Sequence, residues 1–170
     1  MKKIIIAVAI MATAIVQPSN AQSGNQLLNN VLNAYLGVKN TLVKDNGDSV
    51  RAAAKILYNA IDQMPMDKLS ATQHNVWMQY NEKLSYDASH LKETNDIDHQ
   101  REHFANLSQN MYKMLQAVKI NTVDLYYQYC PMANDSKGAY WVSEKLTIAN
   151  PYLGAKMPAC GSTKDTIKKQ

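Results

Sequence analysis

Two short stretches place soft sulfur groups close together: Cys130 and Met132 on either side of Pro131, and Met157 and Cys160 across Pro158, just before Gly161. A thiolate and a thioether are soft donors, so a site built from Cys130, Met132, Met157 and Cys160 would favour Cu(I) over hard cations, with Ag(I) as a competitor and Zn(II) as a further possibility. The prolines and the glycine stiffen both elbows, which lowers the ordering cost of bringing them together. A second outcome is open to the same residues: Cys130 and Cys160 can form a disulfide while the two methionines fill space. The two outcomes exclude each other at any instant, because oxidised sulfur offers no thiolate.

Four histidines, His74, His90, His99 and His103, all fall in the middle of the chain. None lies at the centre of an apolar stripe, which makes them flank or surface residues. His99 and His103 are four apart and can share one ion from a single helix face, but the pair lacks an evident third ligand. His90 is expected near the end of a helix, where a bundle could meet a cap, and is the histidine most suited to join a metal site. Catalysis finds no support. Cys130 follows an expected strand far in sequence from any histidine, and the carboxylates Glu82, Glu93, Glu102 and Glu144 are scattered, so the chain is expected not to be an enzyme.

The elements that must position these groups are mostly helical. Leu28, Val31, Leu32, Tyr35, Leu36 and Leu42 draw one apolar stripe over about 25–43. A second runs through Val50, Ala53, Ala54, Leu57, Ile61 and Met64, with Asp48 as its expected N-cap and Pro65 as its stop. Ser70 caps a third helix, whose buried face holds Gln73, Trp77, Tyr80, Leu84, Ala88 and Leu91. Asp96 caps a fourth, with Ile97, Phe104, Leu107, Met111, Leu115 and Val118 on its stripe and Met114 on the flank. Short connections between four amphipathic helices imply an up-and-down four-helix bundle.

Beyond Asn121 the helical period stops. LYYQYC and GAYWV read as strands joined by turn residues Asn134 to Gly138, so a small C-terminal β-hairpin/loop cap over about 122–161 is expected to lie on the bundle. STKDTIKKQ is expected to be a short flexible tail.

The first 21 residues, MKK followed by an apolar run and then Ser19 and Ala21, read as a signal peptide cut after Ala21, leaving one domain over 22–170. The expected location is therefore periplasmic or secreted, and no second long apolar segment suggests membrane embedding. Without Lys2 and Lys3 the formal net charge drops from +4 to +2 with the basic residues dispersed, which argues against nucleic acid as a partner.

The run YYQYCPMANDSKGAYWVSEKLTIANPYLGAKMPACG resembles the signature of the bacterial domain-of-unknown-function 3347 family: an aromatic before CPMA, a turn, KGA, a tryptophan with Ser143 after it, then NPY-x-G and M-x-x-CG. DIDHQREHFANLSQNMYKML is similar to the helix that leads into it. Leu153 and Pro158 are mild departures from the pattern. The resemblance implies small exported proteins, or extensions of the periplasmic adaptor subunits of copper and silver efflux pumps. On that basis Cys130, Met132, Met157 and Cys160 match soft donors, and His90 matches a histidine found at the end of the third helix. The expected function is a periplasmic Cu(I)/Ag(I) binding or handling module linked to metal efflux, with an efflux adaptor protein as a possible partner. The alternative is a disulfide-stapled, metal-free protein-interaction module.

Overall fold

The computed structural model describes residues 23–170; the expected signal peptide lies outside them. Four long helices lead the chain: α1 (Gly24–Leu42), α2 (Gly47–Asp62), α3 (Ala71–Glu93) and α4 (Ile97–Val118). Their buried faces follow the expected stripes, with Leu28, Val31, Tyr35, Leu57, Trp77, Leu84, Leu91, Phe104, Leu107 and Met111 among the fully buried side chains. The caps are local and polar. Ser70 and Gln73 form a reciprocal capping box at α3, and the Asp96 carboxylate accepts from the amides of Asp98 and His99 at α4. At α2 the cap is Asn46, not Asp48: its side chain accepts from the Ser49 amide at 2.9 Å. Gly47, the first residue of α2, sits against the backbone of Asn95, where a side chain would collide with the Asn95 carbonyl.

Three strands follow, β1 (Leu125–Cys130), β2 (Ala139–Ser143) and β3 (Ser162–Ile167), in an antiparallel sheet of order β2-β1-β3. The hairpin of β1 and β2 is the expected one, pairing Gln128 with Trp141 and Cys130 with Ala139. The stretch beyond Gly161 is different from the expected tail. Ser162–Ile167 pairs with the other edge of β1, with a register shift at Tyr127 and Gln128.

Each helix packs chiefly on its neighbours in sequence, and β2 lies against α4 and α1. The sheet thus closes the side of the helical layer where α1 and α4 have few direct contacts. Tyr35 fixes that docking: its hydroxyl lies 2.8 Å from Ser108 of α4 and accepts from the Val142 amide of β2 at 3.0 Å. Lys39, buried on α1, donates to Glu144 just past β2 at 2.8 Å. Lower on the same side, Arg101 of α4 donates to the Pro151 carbonyl at 3.0 Å, and the Asp45 carboxylate accepts from the Ala155 amide at 2.7 Å. The loop over 144–161 is thereby tied to the N-terminal half of α4.

Candidate metal centre

The turn Thr94 to Asp96 brings the end of α3 back along the start of α4. Gln100 holds it shut: its buried amide group donates to the carbonyls of Thr94 at 2.7 Å and Gly47 at 3.0 Å, with Leu91 at 3.4 Å. In an antiparallel pair closed this tightly, residues equally distant from the turn face one another. Asp87 and His103 stand at equal distances from Asn95, and His90 and His99 nearly so.

Three histidines meet there. His90 comes from the last turn of α3, and His99 and His103 from successive turns of α4; one ring nitrogen of each lies within 4.8 Å of those of the other two. The His90 and His103 rings stack almost parallel, with centroids 4.3 Å apart, and His99 meets His103 edge-on at 4.8 Å. Nitrogens on a tetrahedral ion with bonds of about 2.0–2.1 Å stand about 3.3 Å apart, so modest rotation of the rings closes the group on a cation. His74, at the other end of α3, is not in the cluster.

Behind the histidines stands a buried acid. Asp87 is 3 % exposed, and its Oδ1 lies 3.0 Å from His103 Nδ1. An ionised carboxylate can only accept, so Nδ1–H donates and Nε2 is the nitrogen left to His103 for a ligand. This is the carboxylate–histidine arrangement that orients metal-binding imidazoles. Burial pushes the Asp87 carboxyl above its ordinary range, while His103 and His90 pull it back. On the solvent side, Tyr86 is 60 % exposed and leans on His90, with ring centroids 4.6 Å apart. Three imidazoles with a fourth position left to a small ligand make a site able to bind and exchange a borderline cation such as copper or zinc.

The sulfur groups have another arrangement. Cys130, fully buried at the end of β1, and Cys160, in the loop before β3, are joined in a disulfide with Cα atoms 5.8 Å apart. In this oxidised form neither offers a thiolate, and the four-sulfur ligand sphere is not assembled. Closing a loop of this length stabilises the fold by about 3–4 kcal/mol on a chain-entropy estimate. Met132 and Met157 remain 50 % and 39 % exposed. Of the five ligands expected from sequence, His90 is the one found among facing donors. His99 and His103 were legible as a pair by their spacing. That His90 is their third partner shows only when α3 is set against α4 in register from Asn95.

A polar cleft of about 590 Å³ opens beside the triad between α4 and the cap. His99 and Glu102 line one wall, and Met132, the turn that follows it, and Tyr152 line the other.

No curated protein matches the chain, and neither does any solved structure. The family model for proteins of unknown function DUF3347 matches residues 31–123, a span that holds Asp87 and all three clustered histidines and stops before β1 and the four sulfur residues. With more than half of its length matched, the chain belongs to the DUF3347 family.

Proposed function

We propose that this protein binds and hands on a transition-metal ion, with His90, His99 and His103 as its ligands and copper as the ion. The observation that carries the reading is the convergence of three imidazoles within 4.8 Å, backed by a buried carboxylate on one of them. Imidazole suits copper and zinc, and divalent copper heads the affinity order of the first-row ions. Imidazole is a neutral donor, so the same three residues can hold either the cuprous ion, Cu(I), or the divalent one. The role is binding rather than catalysis. A periplasmic or secreted location is part of the same proposal, supported by the signal-like first 21 residues and by a disulfide of the kind that oxidising compartments preserve. Transfer to an efflux adaptor protein rests on the sequence resemblance.

The disulfide favours a second reading, a stapled module that docks on another protein without any ion. The disulfide itself does not oppose the metal-binding reading, because the candidate ligands are histidines and not the bridged cysteines.

Anaerobic titration with Cu(I) and with Zn(II), together with a thiol count on the same sample, separates the possibilities. The expected result is no free thiol and one ion per chain. Replacing His90 or His103 with alanine should weaken binding beyond the ~10–100-fold typical of losing an outer-sphere partner. The double variant Cys130→Ser with Cys160→Ser should bind as the unaltered chain does. Absence of binding by the unaltered chain would leave the stapled module, and loss of binding in the cysteine variant would return the site to sulfur.

A further inference from the structure

His99 belongs both to the histidine triad and to the wall of the neighbouring cleft, so a ligand in the cleft stands one side chain away from the ion's position. The cleft's charges cancel: Asp98, Glu102 and Asp135 face Arg101, Lys137 and Lys156. Arg101 is further tied up by Asp45 and Asp98. A lining with balanced charge gives a hydrated cation no electrostatic steering. Its distinctive donor is the half-exposed thioether of Met132.

Met132 also stands on a defined support. Cys130 is anchored by the disulfide, and after Ala133 come three consecutive residues in the left-handed region, Asn134 (φ 52°), Asp135 (φ 53°) and Ser136 (φ 64°), before Gly138 (φ 81°). Such a run is disfavoured for L-residues in a free chain, least so for Asn and Asp. It is held closed by the Gly138 amide donating to the Ala133 carbonyl at 2.9 Å.

We propose that Met132 is the first-contact donor for a cuprous ion entering through this cleft, which then passes to His99 and the rest of the triad; the inference rests on the metal-binding reading above. A thioether is neutral and soft, so it binds Cu(I) and discriminates against Zn(II) and the hard cations. Passage to imidazole exchanges one neutral donor for another. The copper stays cuprous, no electron moves, and no proton has to leave the methionine.

The test compares rates with affinities. Cu(I), supplied anaerobically as its acetonitrile complex, is mixed with the full chain, with Met132→Leu and with Met132→Gln, and Zn(II) is run in parallel. Both substitutions sit at a half-exposed position and approximate the length of methionine. For both variants the Cu(I) association rate should drop about tenfold with equilibrium affinity nearly unchanged, and Zn(II) association should match that of the unaltered chain. Equal Cu(I) association rates would overturn the entry role while leaving the triad intact. An equal loss of rate and affinity would make Met132 a permanent ligand and overturn it too. If the unaltered chain binds no Cu(I), both the triad reading and this one fall.

Discussion

Asp87 is in the wrong place for a surface acid and the right one for orienting His103. Replacing it with asparagine should lower metal affinity by about 10–100-fold, the usual loss when a ligand's outer partner is removed, and titration of the variant measures this directly. The metal-free protein should show a pH signature as well. Burial raises the folded-state pKa of Asp87 above its ordinary 3.8, so the folded chain holds that proton more tightly than the unfolded one. The stability it contributes is therefore present at low pH and is lost as pH rises from that ordinary value through the raised one. Denaturation of metal-free wild type and Asp87→Asn should show the gap moving toward the variant as pH rises above that ordinary value. A gap that stays constant would mean that Asp87 titrates alike in both states. Sequence alone exposes little of this, since an aspartate on a polar helix flank looks like any other until the facing helix is known. The sulfur residues posed the opposite difficulty: their spacing admitted two chemistries, and only the position of Cys160 against the end of β1 selects the disulfide.

The helices were the most legible elements. Their stripes repeat over several turns, and Ser70 and Asp96 cap where the pattern begins. At α2 two Asx residues, Asn46 and Asp48, flank one glycine, and local preference does not choose between them; the helix starts at Gly47 with Asn46 as its cap. Strand β3 was hidden for a related reason. STKDTI carries a single strongly apolar residue, Ile167, and as an edge strand it leaves all its other residues exposed or half-exposed, so no burial pattern announces it. Gly47 also offers a test at this scale, because it touches the turn that sets the facing of α3 and α4. Gly47→Ala should destabilise the protein by about 1–3 kcal/mol, as an added methyl in a filled space does, and urea denaturation would register the change. Metal affinity should weaken with it, because the turn must shift to make room. An unchanged midpoint would show that the contact yields freely.

Across the whole molecule, an ion held by the proposed triad would join α3 to α4 and add to the stability of the folded state. At a free ion concentration 100 times the dissociation constant the gain is about 2.7 kcal/mol, visible as a rise in the thermal midpoint. Protons compete with the ion for the imidazole nitrogens, so this rise should shrink as the solution is acidified. A rise independent of pH would point to ligands other than histidine. The sheet between α1 and α4 takes no part in the triad. The cleft wall beside His99 is held by the Arg101 and Asp45 ties to the loop at 151–155.

Every proposed ligand, and the acid behind them, lies on two consecutive helices joined by the short turn at Thr94 to Asp96. Bringing those groups together closes only a small loop, whereas the bridge between Cys130 and Cys160 must wait for the strands to pair. The proposed ion site can thus form before the thiols are oxidised, so metal binding would not have to wait for the covalent clasp.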